Sequence, residues 1–285
     1  MKLPPFEYAC PSTLNEAVAL LAAHDGEAKA LAGGQSLVPM MAFRIAQPSL
    51  LVDLRKLSNL REIKIGADGV RLGALVRWRD ILDDARLAKA HPLLKEAIAN
   101  VAHYQIRNRG TVGGSVCHAD PAAEMPGIAQ TCDAEMTVVG KTGTRTIRAD
   151  DFFRGALTTA LEPDEILTEI HLPAWPAGRR YAFLEFSRRR GDFAMAGIAL
   201  YYDLDGGKAI NAHIGVIGVG DRQHRLTAAE AALNGNVVDE PLAVKVGEAA
   251  AAEVEPQEDI HASAAYRRSL TGTLTERAVL AAAAR

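Results

Sequence analysis

The sequence predicts an α+β protein in two parts, residues 1–173 and residues 178–285. Strand and helix patterns alternate at the start of the chain, whereas near its end three strand patterns precede three helical patterns. Between the two parts, Pro173, Pro176 and Gly178 interrupt regular structure, which is typical of a linker. Strands and helices grouped in separate segments favour the α+β class.

The first lobe, residues 1–56, is predicted to be a β-α-β unit. Thr13 and Glu16 have the spacing of a capping box, and apolar residues follow at helical intervals until Gly26. A short apolar run, residues 28–32, predicts a buried strand that ends in a Gly-Gly turn. A short helix over residues 36–45 and a strand over residues 49–54 complete the unit.

The second lobe, residues 57–173, is predicted to contain four strands and two helices. The strands lie at residues 70–75, 135–139, 145–147 and 166–172, and the helices at residues 77–88 and 92–101. Residues 107–115 show neither periodicity and are predicted to form a glycine-rich loop.

The second part is predicted to form a three-stranded antiparallel sheet with helices. Its strands lie at residues 181–187, 197–203 and 209–219, and residues 205–207 form the hairpin turn between the last two. Helical patterns follow at residues 227–233, 241–252 and 262–284.

The composition excludes several classes of protein. A net charge of −3 is unlike that of a nucleic-acid-binding domain, and no apolar run is long enough to span a membrane. Pro4, Pro5 and Glu7 interrupt the apolar stretch that a signal peptide needs. The three cysteines contain no Cys-x-x-Cys pair, which argues against a disulfide framework and a self-contained zinc or iron–sulfur site. We therefore expect a cytoplasmic protein.

Two Gly-Gly motifs carry the functional signal. Gly33-Gly34 is followed by Ser36, and Gly113-Gly114 is followed by Ser115. Such turns can point successive amides into one concavity that binds an anion, and two of them could grip a diphosphate from both sides. Gly-Gly is also a common turn, so spacing alone leaves the ordinary structural role open. Neither motif matches the Rossmann or P-loop fingerprint.

The whole chain resembles the medium, FAD-binding subunit of the carbon monoxide dehydrogenase and xanthine dehydrogenase family, the molybdenum hydroxylases. Four segments in family order carry this resemblance: Ala32-Gly33-Gly34-Gln35-Ser36-Leu37-Val38-Pro39-Met40-Met41, Val52-Asp53-Leu54-Arg55, Gln105-Ile106-Arg107-Asn108-Arg109-Gly110-Thr111-Val112-Gly113-Gly114-Ser115 and Arg190-Gly191-Asp192-Phe193-Ala194. The resemblance implies that residues 1–173 form a two-lobed FAD-binding domain like that of vanillyl-alcohol-oxidase-type flavoenzymes.

The resemblance also implies a set of FAD-binding residues. The FAD diphosphate would be held by Ala32, Gly33, Gly34, Gln35 and Ser36 together with Thr111, Val112, Gly113, Gly114 and Ser115. Asp120 and Glu124 would lie at the ribose and phosphate region, and Leu161 at the adenine end. Phe193 would lie against the isoalloxazine ring, and Val101 in the flavin pocket. The family more often has Asp, Asn and Tyr at positions 124, 115 and 193.

The implied role is electron transfer, with no catalytic acid, base or nucleophile and no metal ligand in this chain. Electrons would come from [2Fe-2S] clusters in a small partner subunit. Those clusters would receive the electrons from the molybdenum cofactor in a large subunit. The expected complex is a dimer of heterotrimers, that is, a heterohexamer. The substrate and the final electron acceptor are not encoded in recognisable residues of this chain.

Two other functions stay open at this point. A stand-alone flavin-dependent oxidoreductase of the same fold would need an acid or base beside the flavin, and a flavin-free scaffold would not need the glycine motifs. Cys117, His118 and Asp120 are close in sequence but have no second half-site for zinc. The run Arg188-Arg189-Arg190 fits either a solvated turn or a contact with a partner or the flavin.

Overall fold

The first lobe is a three-stranded parallel sheet in the computed structural model, which describes residues 2–285. Its elements are β1 (Glu7–Ala9), α1 (Leu14–Ala22), β2 (Ala28–Leu31), α2 (Leu37–Ala42) and β3 (Leu50–Asp53). The strand order is β1-β3-β2, and two 3-10 turns, Leu54–Lys56 and Ser58–Arg61, lead out of the lobe. The central strand β3 is buried along its whole length, as expected for a parallel sheet.

The second lobe is built on a five-stranded antiparallel sheet of order β4-β5-β10-β6-β7. Its elements are β4 (Ile63–Gly66), β5 (Gly69–Gly73), α3 (Trp78–Asp83), α4 (Leu87–Ala90), α5 (Pro92–Ile98), α6 (Tyr104–Arg107), α7 (Val112–His118), α8 (Glu124–Thr131), β6 (Glu135–Gly140), β7 (Gly143–Arg148), α9 (Ala149–Phe152), β8 (Phe153–Gly155), β9 (Thr158–Thr159) and β10 (Ile166–Pro173). β8 and β9 form a separate two-stranded ribbon that packs on α7.

The second part is a four-stranded antiparallel sheet with helices on one face. Its elements are β11 (Arg180–Phe186), β12 (Ala196–Asp205), β13 (Lys208–Ile217), β14 (His224–Arg225), α10 (Thr227–Leu233), α11 (Glu240–Glu253) and α12 (Ala264–Ala283). The sequence pattern predicts three strands here. The fourth, β14, has only two residues, too few for any alternating pattern to reveal it.

The two parts share a hydrophobic core. One face of the second-part sheet packs on α10–α12, and the other face packs on α5 and α8 of the second lobe. Phe183, Ala199, Tyr201 and Ile217 belong to the same buried cluster as the second-lobe residues. We call this contact between α5, α8 and strands β11–β13 the seam.

Residues 173–178 connect the parts without being a free linker. The Trp175 ring lies 4.7 Å from that of His91, 5.6 Å from Tyr181 and 5.4 Å from Tyr201, measured between ring centres. The Arg179 guanidinium lies over the rings of Trp175 and Tyr201. Aromatic packing therefore fixes the connection at the seam.

Candidate functional site

The first glycine motif leaves a row of backbone amides without protein acceptors. β2 ends at Leu31, Gly34 takes a positive φ of 73°, and α2 begins at Leu37. The Gln35 side-chain amide donates to the Gly33 carbonyl at 3.1 Å, which fixes the turn. Within residues 2–285, the amides of residues 33–37 donate to no acceptor. Such successive free N–H groups are what an anion-binding concavity needs.

The second motif is the first turn of a helix, and its predicted assignment as a loop is wrong. Thr111 caps α7, because its hydroxyl accepts from the Gly114 amide at 3.1 Å. The Val112 and Gly113 amides donate to the carbonyls of Val76 and Ala74, each at 2.9 Å. The amides of residues 112–115 are thus already paired, so this part of the motif offers hydroxyl groups and a side-chain-free surface instead.

The two motifs lie against each other. A Cβ atom on Gly33 would overlap the Arg109 carbonyl oxygen and lie 2.9 Å from the Gly110 Cα. A Cβ atom on Gly114 would lie 3.8 Å from the Ala32 Cβ. We call residues 32–36 with residues 109–115 the glycine cradle. The backbones of its two segments lie as close to each other as glycine allows, and its free amides fit the diphosphate of a dinucleotide.

The structure also brings Val101 and the turn of Phe193 together. A Cβ atom on Gly191 would lie 2.6 Å from the Ala102 carbonyl oxygen, so the turn packs directly on residues 101–102. Arg107 holds that segment from the other side by donating to both of its carbonyls. Val101 is 7% exposed, whereas Phe193 is 66% exposed. An exposed aromatic ring beside a buried apolar residue can bound a planar ligand.

Asp120 and Glu124 lie at the turn that leads from α7 into α8 of the seam. Asp120 begins a turn in which its carboxylate accepts from the Ala122 amide at 2.9 Å. Glu124 begins α8 and is buried, and burial raises its pKa to about 8. A cavity of about 660 Å³ opens beside this turn and has walls from both parts. Its walls include Asp120, Arg188, Phe193, Gly218 and Arg267.

Leu161 lies next to the β8–β9 ribbon that packs on α7. Its amide donates to the Thr159 hydroxyl at 3.3 Å, and the side chain is half-buried against the second-lobe core. Within residues 2–285, no hydrogen bond joins Leu161 to the cradle or to Phe193.

The cysteine region does not form a reactive site. Burial raises the pKa of the Cys117 thiol to about 12, and it does the same for Cys132. Residues 2–285 place no three His, Cys, Asp or Glu side chains where they could hold a metal ion. None of the helices in this range has both the length and the apolar character that crossing a bilayer requires.

Two features of the site were not recognised from the sequence. The approach of Gly33 to Arg109 and Gly110 depends on tertiary structure, although all three residues lie in the segments that carry the resemblance. Glu185, whose Oε2 atom is buried without a hydrogen-bond partner within residues 2–285, was not singled out from the sequence. The alternation in β11 could have shown it, because Glu185 shares its strand face with Tyr181 and Phe183.

The glycine cradle, with its free amides and close backbone approach, has the features of a dinucleotide-binding protein. Two family models match the chain: the FAD binding domain in molybdopterin dehydrogenase over residues 4–175, and the CO dehydrogenase flavoprotein C-terminal domain over residues 181–282. The chain belongs to this family of molybdopterin dehydrogenase flavoproteins. The predicted FAD-binding oxidoreductase subunit of this family is confirmed.

Relatives match along the whole chain. The chain is 39% identical over 285 residues to the nicotine 6-hydroxylase medium subunit of Paenarthrobacter nicotinovorans, with 100% of each covered. Its structure is similar to a carbon monoxide dehydrogenase from Hydrogenophaga pseudoflava that lacks the Mo-pyranopterin moiety, with a TM-score of 0.97, 38% identity and coverage of 100% and 99%. It is also similar to quinoline 2-oxidoreductase from Pseudomonas putida, with a TM-score of 0.95, 41% identity and coverage of 100% of this chain and 99% of that chain. The predicted α+β fold class is confirmed.

Proposed function

We propose that this chain transfers electrons from a partner subunit to an external acceptor through one FAD bound at the glycine cradle. The observation that carries the proposal is the close contact of the two glycine motifs around the free amides of residues 33–37. Bound FAD would supply the redox chemistry by accepting electrons and passing them on.

The residues of the chain would position the cofactor and shield it. The amides of residues 33–37 would donate to the diphosphate, and the hydroxyls of Thr111 and Ser115 would add donors from the second motif. Phe193 and Val101 would bound the isoalloxazine ring, and Asp120 with Glu124 would meet the ribose region. Leu161 would line the adenine end. The remaining assigned residues, Ala32, Val112, Gly113 and Gly114, would supply close backbone approach.

The domain limits that fit this role are residues 1–173, with lobes at 1–56 and 57–173, and residues 178–285. Met1 lies outside the described residues. The first family match ends at residue 175 and the second begins at residue 181, which supports a boundary in this region.

The partners would be a large molybdopterin-binding subunit and a small iron–sulfur subunit that carries [2Fe-2S] clusters. Relatives are named as medium subunits or medium chains, which supports membership of a multi-subunit complex. We propose a dimer of heterotrimers in the cytoplasm. Substrate chemistry would take place in the large subunit.

Purification from the native host tests this function. We expect a yellow complex of three different chains, with one FAD for each copy of this chain and with molybdenum and iron present by metal analysis. Titration of the isolated chain with FAD, followed by flavin fluorescence, should saturate at one FAD per chain. An isolated yellow chain that an organic substrate reduces directly would instead favour a stand-alone oxidoreductase. A chain without affinity for FAD would refute the proposal.

A further inference from the structure

A loop of the second part contacts the first part where the proposed FAD site lies. The loop joins β13 to β14 and spans residues 218–223. The Gly218 amide donates to the Pro121 carbonyl at 2.9 Å, and the Gln223 Nε2 atom donates to the Asp120 carbonyl. These two hydrogen bonds fix the backbone of the Asp120 turn relative to the second part.

The start of the same loop lies against the Phe193 turn. Gly218 has a φ of 75°, and a Cβ atom on it would overlap the Ala194 carbonyl oxygen. The Arg267 guanidinium donates to the carbonyls of both Gly218 and Met195. The backbones of the loop and of the Phe193 turn are therefore in direct contact.

A third contact of the loop reaches the β8–β9 ribbon. Arg222 donates to the Phe153 carbonyl at 3.0 Å, and Phe153 begins β8. Asp120, Phe193 and Gly218 also line the same cavity of about 660 Å³. The β13–β14 loop thus joins walls of this cavity that come from different parts of the chain.

The Gln223 hydrogen bond is not needed to satisfy the Asp120 carbonyl. That carbonyl also accepts from the Ala123 amide at 3.1 Å. The Gln223 side chain is 2% exposed, and its Oε1 atom is buried without a hydrogen-bond partner within residues 2–285. A buried polar atom without a partner is unfavourable, so an apolar side chain of the same length would serve folding equally well. What the amide contributes is the position of the Asp120 turn.

We propose that Gln223 is a positioning residue for FAD, which holds the Asp120 turn in the place that the bound cofactor requires. This inference rests on the proposed function. The Asp120 carboxylate can accept hydrogen bonds from ribose hydroxyls, and the strength of such bonds depends on distance and angle. The place of the Asp120 turn relative to Phe193 is set through the β13–β14 loop, because that loop contacts both turns.

Gln223→Met tests the inference, because methionine keeps the length of the side chain and removes the amide. The variant loses one donor and the unpaired Oε1 atom, while the Asp120 carbonyl keeps the Ala123 amide. We expect the melting temperature of the cofactor-free protein to stay within about 3 °C of the wild-type value. The FAD dissociation constant, measured by flavin fluorescence, should rise roughly threefold to tenfold, the equivalent of one hydrogen bond.

Gln130→Met is the matched control. Gln130 is also a buried glutamine, 6% exposed, whose Nε2 atom donates to the Asp150 carboxylate, and neither residue lines the cavity. This control should keep wild-type FAD affinity. Wild-type affinity in Gln223→Met, or an equal loss of affinity in Gln130→Met, would overturn the positioning role. A melting temperature of Gln223→Met lowered by more than about 3 °C would assign the residue to folding and would also overturn it.

A double-mutant cycle tests whether Gln223 acts through Asp120. Asp120→Asn keeps an oxygen that can accept from the Ala122 amide but removes the carboxylate charge. In the Asp120→Asn background, Gln223→Met should weaken FAD binding by less than about twofold further. The same loss in both backgrounds would overturn action through Asp120. A wild-type chain that binds no FAD would overturn the proposed function, whereas equal FAD binding by wild type and Gln223→Met would overturn the positioning role alone.

Discussion

Gly33→Ala tests the glycine cradle most directly. The added Cβ would overlap the Arg109 carbonyl oxygen and lie 2.9 Å from both the Arg109 carbonyl carbon and the Gly110 Cα. Non-bonded carbon atoms prefer separations of about 3.5–4.0 Å. All of the clashing atoms are backbone, so no side chain can rotate away. The two motifs must therefore separate by roughly 1 Å.

The cost should appear in FAD binding more than in folding. Forced overpacking costs about 1–3 kcal/mol, and the cofactor-free protein can relieve it by opening the cradle. The proposed FAD site needs the cradle closed, so most of that free energy would be lost again on binding. At about 1.4 kcal/mol for each tenfold change, the dissociation constant should rise roughly 5-fold to 150-fold.

The assay is fluorescence titration with FAD, combined with thermal melting of the cofactor-free protein. Gly206→Ala is the matched control, because Gly206 has a φ of 56° and open space around its Cβ position. Alanine in that conformation costs about 1 kcal/mol, so the control should lower the melting temperature without changing FAD affinity. Wild-type FAD affinity in Gly33→Ala, or an equal loss of affinity in Gly206→Ala, would refute the proposal that FAD binds at the cradle.

Three further predictions concern other parts of the site. Phe193→Ala should weaken FAD binding several-fold in the same titration but leave the melting temperature unchanged, because the ring is 66% exposed; a lowered melting temperature would assign it to folding. Cys117 should resist iodoacetamide at neutral pH until the chain is unfolded, since burial raises its pKa to about 12, and mass spectrometry would detect early alkylation. Arg267→Ala should lower the free energy of unfolding by about 3 kcal/mol in denaturant melts. The reason is that its buried guanidinium donates to the carbonyls of Met195 and Gly218 and pairs with Asp259. A loss below about 1 kcal/mol would contradict this role.

Local signals predicted the elements whose structure is set locally. Thr13 caps α1 as its capping-box spacing indicates, with its hydroxyl 3.2 Å from the Glu16 amide. Glu16 reaches back to the Ser12 amide, one residue earlier than the standard box. The predicted β-α-β unit is present as β2, α2 and β3. β1 was not predicted, because its three residues become a strand only by pairing with β3.

Tertiary contacts determine the structure of the elements that the local sequence pattern does not predict correctly. α7 contains Gly113 and Gly114, which disfavour helix, but the close backbone of Ala74 requires glycine at position 113. α8 is buried on all sides and contains Pro126 and Gly127, so it shows no amphipathic period. The resemblance supplied the predicted site residues, whereas the contact between the two glycine motifs is a property of the folded chain alone.

The placement of the chain's two tryptophans has a practical consequence. Trp78 is buried with its indole nitrogen against Gly110, and Trp175 lies among aromatic rings where the parts join. Each indole is thus a built-in optical probe, one for the backbone of the glycine cradle and one for the junction between the two parts. In a Trp175→Phe protein, emission would report cradle movements alone, and in a Trp78→Phe protein it would report the junction, without any attached dye.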